Sequence, residues 1–395
     1  MKTLCFFTGS RAEYWLLRPL LAATRDSGML RLQLIVSGMH LAPEFGLSYR
    51  DIEEDGFPID EKVEILLSSD SAVGTCKSAG LALSGVGEAL ARLRPDMLVL
   101  LGDRFETFAA AAAATLVSLP IAHIHGGEIT EGACDDALRH AITKMSHLHF
   151  TATAEYRRRV IQLGEHPDTV FHVGSLGVEN MRRIRLLSRH ELERQIDFSL
   201  GERSALVTFH PVTRQPDEAA GQFGQLLAAL DDCRPLQIIF TKANSDAGGR
   251  EINRMISDYV AANPHRATAF ASLGQVRYFS ALQWVDLVIG NSSSGIIEAP
   301  SFPVGVVNIG DRQRGRVRAA GVIDCPPGRR EIKRACDLAL SREHRRKRQA
   351  GSNPYERRGT TRRVMEILQD ADKIRVAKKF YDINTVFEGS HGNRP

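Results

Sequence analysis

The chain lacks most of the short signatures that settle a reaction on sight. TGSRAE follows the first apolar run where a dinucleotide fold would carry GxGxxG, so NAD binding has little support. GxxxxGK followed by Ser or Thr is also missing, which argues against a P-loop ATPase. No His-Glu-x-x-His or other tight ligand cluster occurs, so neither a metal nor another cofactor is expected. There are 6 cysteines, none spaced as CxxC and most in apolar surroundings, which reads as reduced, buried thiols. No apolar run is long enough to span a bilayer: residues 105–122 carry Glu106 and break at Pro120. The opening MKTLCFFTGSRAEYW has neither the apolar core nor the cleavage site of a signal peptide, since Arg11 and Glu13 intrude. It reads as the first strand of a cytoplasmic protein. Internal repeats and low-complexity linkers are absent as well.

What remains is an ordinary globular mixture of 395 residues, 43% apolar and 25% charged. At ~100–200 residues per domain, two domains are expected. Lys plus Arg number 51 and Asp plus Glu 47, a net charge of +4. So small an excess gives no ground for nucleic-acid binding, though it suits an anionic small substrate. The basic run REHRRKRQ (342–349) has no interleaved aromatic residues for base stacking and reads as a solvated helix face.

Short apolar runs alternate with helical patterns. LCFFTG (4–9), LQLIVSG (32–38), DMLVLLG (96–102), PIAHIHG (120–126) and VFHVGS (170–175) read as buried parallel strands. Between them lie SAGLALSGVGEALARLRP, the Ala-rich FETFAAAAAATLVSL, whose alanines suit close packing on a sheet, and DDALRHAITKMSHLH, which opens with acids as a helix should. A second series of strands, ALVTFHP, LQIIFTKA, ATAFAS, DLVIGN and PVGVVNIG, begins near Ser204, with helical patterns between them. This alternation predicts an α/β protein of two doubly wound halves, one covering 1–180 and the other 181–360, meeting around 176–195. The tail from 361 to 388 is helical in pattern. Strand ends carry ligands in this architecture, so the cleft between the halves is the expected site.

Charge is concentrated at those strand ends. LVLLGDRFE puts Asp103 and Arg104 just after a buried strand, either as functional groups or as a helix cap with Glu106 closing a capping box. AHIHGGE brings His123, His125 and Glu128 to a glycine-flexed turn. Asp135, Asp136, Arg139 and His140 follow, with Asp135 and Arg139 one helical turn apart, as an ion pair or as part of a site. In the second half FHP places His210 after a strand, and FTKAN places Lys242 and Asn244 after the next. GNSSSGIIE sets Ser292 and Ser293 at a strand-to-helix junction, with Glu298 a turn further, where a carboxylate could accept both hydroxyls of a ribose. The same serines would serve as an ordinary N-cap. GDRQRGRVR aligns Arg312, Arg314, Arg316 and Arg318, guanidiniums suited to a diphosphate, some of them facing solvent.

TGSRAEY, SGMHL, LGDRFE, HIHGGE, DDALRHAITKMSHLH, RVIQLGE, GNSSSGIIE, NIGDRQRGRVR and the closing FYDI together resemble the hydrolysing UDP-N-acetylglucosamine 2-epimerases of bacterial sialic acid synthesis, over nearly the whole chain. The resemblance implies two Rossmann-like domains of the glycosyltransferase-B type. UDP is held mainly by the C-terminal one, and a closing helix of about 361–395 returns to the first domain. It places the family's catalytic acids on Asp103 and Asp135, and its UDP contacts on Arg11, Arg104, His210, Asn244, Ser292, Ser293, Glu298 and Arg312. Some relatives, the vertebrate bifunctional enzyme among them, carry Glu where this chain has His125, so that task falls to His125 or to Glu128. The expected catalytic set is therefore Asp103, His125, Glu128, Asp135 and His210, with Arg139 counted among the substrate contacts.

The expected reaction takes UDP-N-acetylglucosamine and water to N-acetylmannosamine and UDP, on a route to sialic-type nonulosonic acids, in a homodimer or homotetramer without nucleic-acid or membrane partners. Three rival readings stand beside it. MHLAPEFGLSYRDIEEDGF and EKVEILLSSD look at least as much like the related enzymes acting on UDP-N,N'-diacetylbacillosamine, for legionaminic acid. A glycosyltransferase of the same architecture would need an acceptor sugar and has less use for clustered acids. A nucleotide-sugar sensor would bind without turnover.

Overall fold

A computed structural model describes residues 1–67, 71–131, 134–211, 218–243, 249–370, 374 and 376–383. Two parallel sheets organise them. The first holds β1 (Lys2–Thr8), β2 (Leu30–Ser37), β3 (Glu61–Val63), β4 (Met97–Leu101), β5 (Ile121–Ile124), β6 (Leu148–Thr151) and β7 (Val170–His172), in the order β3-β2-β1-β4-β5-β6-β7. The second holds β8 (Ser204–Thr208), β9 (Gln237–Thr241), β10 (Ala267–Phe270), β11 (Leu287–Gly290), β12 (Gly305–Ile309) and β13 (Val322–Cys325), in the order β10-β9-β8-β11-β12-β13. The central strands are buried because helices cover both faces: every residue of β4 and of β12 is buried.

The predicted strands stand where expected, each ending one to three residues before its run does. Three further strands escape the sequence reading. β3 is three residues of mixed polarity, EKV, paired to Ile35, Val36 and Ser37. β6 lies where the sequence pattern continues the preceding helix; that helix stops at Met145, and LHFT then pairs with β5 and β7. β13, an edge strand with two half-buried residues and one exposed, carries no continuous apolar run.

The helix Arg11–Asp26 starts in a capping box, Ser10 accepting from Glu13 N–H and the Glu13 carboxylate from the cap backbone. The alanines of helix Phe105–Leu116 let it lie close against helix Ala72–Leu93 and the sheet, burying Ala109, Ala110, Ala111, Ala113 and Ala114. The closing helix is shorter than the resemblance implies. It runs Thr360–Gln369 and packs Val364, Met365 and Leu368 into the first sheet's core, alongside Leu17, Leu20 and Leu21. Burying such a side chain stabilises by roughly 1.5–3 kcal/mol. Residues 376–383 continue without regular structure, because Lys378, Phe380 and Tyr381 are engaged by the loop around Glu165 and helical repetition would break those contacts. Among the described residues no helix is long and apolar enough to cross a membrane.

Candidate active site

Both sheets share one permutation: the third strand of each leads through the second to the first, and the fourth lies on the first strand's other side. The crevice of such a sheet opens between strands one and four, beyond their carboxyl ends. In the first sheet this is the β1/β4 gap, where TGSRAE and LGDRFE emerge. In the second it is the β8/β11 gap, where FHP and GNSSSG emerge.

Asp103 is not a helix cap. Arg104 holds the N-cap position of helix Phe105–Leu116 without a side-chain cap bond, and Glu106 turns back to accept from Arg104 Nε at 2.7 Å. Asp103 Oδ2 instead accepts from Arg139 Nε at 2.8 Å and from Arg139 Nη2. Burial alone would raise its carboxyl, but Arg139, with Arg316 and His123 behind it, holds the pKa below the ordinary value. Asp103 is thus ionised at neutral pH.

Arg139 explains how that is possible. It is 1% exposed. Beyond its two bonds to Asp103, Nη1 donates to Glu128 O at 2.9 Å and Asp136 Oδ1 at 3.0 Å, and Nη2 to Thr130 Oγ1 at 2.9 Å. A guanidinium has five N–H groups, and all are engaged. Arg139 therefore clamps the 128–130 turn to Asp103 and has no N–H left for a nucleotide, contrary to its place among the expected substrate contacts. Its ion-pair partner on the helix is Asp136, not Asp135. Asp135 is the first residue of that helix, half-buried, with Cys134 Sγ 3.9 Å from its Oδ1.

The turn after β5 is tightly built. His125 has φ +68°, in the left-handed region, and its Nε2 accepts from Leu176 N–H at 3.4 Å, so it faces the crossover between the halves. A Cβ on Gly127 would lie 2.5 Å from Tyr156 O, so only glycine fits. Glu128 is 4% exposed and pairs with Arg316 of the second half. Burial lowers the pKa of His125 while Glu128 opposes it, and burial leaves Glu298 pushed up to about 7, with Arg316 acting against that rise. A Cβ on Gly177 would come within 2.5 Å of Glu298 Oε1, so Glu298 lies against the crossover too. Asp103, His125, Glu128 and Glu298 thus gather around Arg316. The junction is closed by Tyr156, whose hydroxyl lies 2.7 Å from that of Tyr355 and accepts from Val317 N–H at 3.0 Å.

On the second half's side, His210 is 7% exposed, and burial together with Arg312 lowers its pKa to about 3. It is a neutral imidazole, able to accept or donate. Its backbone is fixed by Asn291, which accepts from His210 N at 2.7 Å and donates to His210 O at 2.8 Å. Arg312 Nη1 and Gln313 Nε2 both donate to Asn291 O, at 3.1 and 2.9 Å. Ser292 caps the short helix Ser293–Ile297, accepting from Ser294 N–H at 3.4 Å. Arg11, on the other side, lies 3.7 Å from Asp51 with 43% of its side chain exposed, and Arg104 is similarly open at 36%. Asn244 lies outside the described residues.

Two contributors were not legible as such. Arg316 stands in the singled-out arginine run, but spacing could not tell that it turns inward while Arg314 meets Glu131 at the surface. Asn291 gives only the signal of an amide at a strand end. No group of three or more His, Cys, Asp or Glu that could hold a metal occurs among the described residues.

Comparison with known proteins gives one consistent picture. The family model described as UDP-N-acetylglucosamine 2-epimerase matches residues 22–369. The chain is 42% identical, over 82% of its length and 84% of the relative's, to the GDP/UDP-N,N'-diacetylbacillosamine 2-epimerase (hydrolyzing) of Campylobacter jejuni. It is 38% identical, over 97% and 98%, to the polysialic acid biosynthesis protein P7 of Escherichia coli. In fold it is similar to the crystal structure of UDP-GlcNAc 2-epimerase from Neisseria meningitidis bound to UDP-GlcNAc, with TM-score 0.81 at 17% identity over 94% of this chain and 100% of that one.

Proposed function

This chain belongs to the UDP-N-acetylglucosamine 2-epimerase family, and from that premise we propose that it is a hydrolysing 2-epimerase converting UDP-N-acetylglucosamine and water to N-acetylmannosamine and UDP. The observation that carries the reading is the cluster of Asp103, Glu128 and Arg139 at one set of strand ends, joined through Arg316 to the other half beside Glu298. The chemistry asks for such a cluster. C2 of an N-acetylhexosamine has no carbonyl attached, so its proton is not acidic. Loss of UDP from C1 develops oxocarbenium character and acidifies C2–H, giving a glycal. Hydration of the glycal then needs an acid on the opposite face and water at C1. Preorganised charge stabilises the departing diphosphate, and positioned carboxylates or a neutral His move the protons.

In this proposal Arg11, Arg104, His210, Asn244, Ser292, Ser293, Glu298 and Arg312 hold UDP, with His210 also available for proton transfer. Asp103, Glu128 and Asp135 share elimination and hydration, His125 standing in reserve for Glu128. The domain division at about residue 180, a cytoplasmic location and assembly as a dimer or tetramer belong to the same reading. The six free cysteines fit a reducing compartment.

A second reading, the same reaction on UDP-N,N'-diacetylbacillosamine, is favoured by the names of two relatives: the 42% identical Campylobacter protein and a 36% identical one from Legionella pneumophila. Incubation with each UDP-sugar alone, followed by NMR of the products, tests both. Release of a free 2-epimerised sugar from the first substrate is expected. Turnover of the diacetylated sugar alone would transfer the proposal to it, and no release without an acceptor would favour a transferase.

A further inference from the structure

A groove of about 610 Å³ lies on the first half, away from the site described above. It opens between the edge strand β7, helix Ala154–Gln162 and the closing helix Thr360–Gln369. Phe171, Val173 and Ile367 give it an apolar lining, and Arg157, Arg357 and Arg363 stand around it. None of the three guanidiniums meets a carboxylate among the described residues. Arg157 donates to Val170 O at 2.8 Å and Pro167 O at 3.0 Å, Arg357 to His172 O, and Arg363 to Arg358 O at 2.6 Å. The two acids on the rim are turned elsewhere: Asp168 lies 3.6 Å from His166, and Glu366 3.7 Å from Arg362.

His172, between these arginines, registers the imbalance. Burial and then the charges of Arg357, Arg363 and Arg157 lower its pKa, and its Nε2 is buried with no hydrogen-bond partner among the described residues. Positive charge therefore converges on the groove, and among the described residues no carboxylate pairs with any of its three arginines. The walls are also fixed in advance. Thr360 Oγ1 donates to Val173 O at 2.8 Å, Ser175 N to Tyr355 O at 2.9 Å, and a Cβ on Gly174 would lie 2.6 Å from Arg357 Cβ. A preformed concavity with an apolar wall and convergent cations loses little freedom when a ligand enters.

We propose that this groove is a second ligand site, taking a small molecule in which a phosphate or carboxylate is joined to an apolar ring. Phenyl phosphate is the probe, titrated calorimetrically into the full chain with UDP present in excess, so that the nucleotide site is closed to it. One phenyl phosphate per chain is expected to bind, at least tenfold more tightly than benzyl alcohol, which has the ring without the charge. Arg363→Ala should weaken it tenfold or more, as loss of a charge-assisted contact does. Glu366→Gln, which removes a repelling charge, should tighten it, an outcome that misfolding cannot mimic. Neither substitution touches the proposed catalytic groups, so turnover of the UDP-sugar should stay unchanged. Absence of binding with UDP bound, or an affinity indifferent to Arg363→Ala and Glu366→Gln, would overturn the site. Equal affinity for inorganic phosphate would overturn the apolar half of the ligand assignment.

Discussion

The two halves of the molecule use the same strand permutation and fill it with opposite chemistry. At the β1/β4 switch point and the neighbouring β5 turn, carboxylates dominate: Glu13, Asp103, Glu106 and Glu128, three of them 6% exposed or less. Each is answered by backbone N–H groups or by a guanidinium, as Glu13 is by Gly9 and Ser10 at 2.8 and 3.2 Å. At the β8/β11 switch point the groups are a neutral imidazole, an amide and hydroxyls, with Arg312 beside them. In the proposed function this contrast is a division of labour, the first half moving protons and the second holding a polyanion. The fold supplies the place, and the residues after each strand decide the task.

The largest expected effects would break the comparison if they fell on the wrong half. Asp103→Asn, Glu128→Gln and Asp135→Asn should each reduce turnover by ~10²–10⁴, the usual contribution of a positioned acid or base, while UDP affinity measured by calorimetry changes little. A Glu128→Gln enzyme with near-normal turnover would pass that role to His125.

Arg316→Ala tests the seam. It leaves Glu128, whose side chain is 5% exposed, without its guanidinium. Breaking a buried pair from one side costs about 3–5 kcal/mol, to be read in chemical denaturation. A loss below about 1 kcal/mol would mean that the pair does not join the halves. On the second half, Glu298→Ala should weaken UDP by roughly ten- to a hundredfold, the ~1.5–3 kcal/mol of a charged hydrogen bond, with the fold intact by circular dichroism. Unchanged UDP affinity would remove Glu298 from the nucleotide site.

Acid should act on both halves alike. Burial lowers His40 to about 4, His123 to about 3 and His210 to about 3. Unfolded histidine titrates near 6.5, so between about pH 6.5 and 4 the unfolded chain binds more protons and stability falls as pH falls, by up to ~1.4 kcal/mol per unit per histidine. Glu13 has the opposite sign. Burial and the Glu106 charge raise it to about 8, so its contribution is lost as pH climbs from about 4.5 towards 8. Denaturation midpoints that do not decline from pH 6.5 to 5 would contradict the neutral histidines. The smallest effect expected is that of EDTA, which should leave most activity intact; loss restored by Mg²⁺ or Mn²⁺ would favour a metal-using transferase.

Much of this is legible in the sequence. Continuous apolar runs ending in Gly or Ser located the central strands, because a strand buried on both faces has no alternative composition. Edge strands β3 and β13 stayed hidden since one side of each lacks a neighbour and tolerates polar residues. The candidate groups were legible as residues after strands. Their partners were not, because partnership is set by tertiary approach: Arg139 reaches back to Asp103 across 36 positions and Arg316 to Glu128 across 188. Spacing on a helix suggested Asp135 for Arg139, and geometry chose Asp136.

The central claim is that one half removes a proton from C2 while the other releases UDP, and isotopes test it most directly. With the reaction run in D₂O, the product of the manno configuration should carry deuterium at C2, delivered from solvent when the glycal is hydrated. In H₂¹⁸O the label should enter the sugar at C1, examined before mutarotation scrambles it, and be absent from UDP. A product that retains its original C2 hydrogen would contradict the account, whichever UDP-sugar proves to be the substrate.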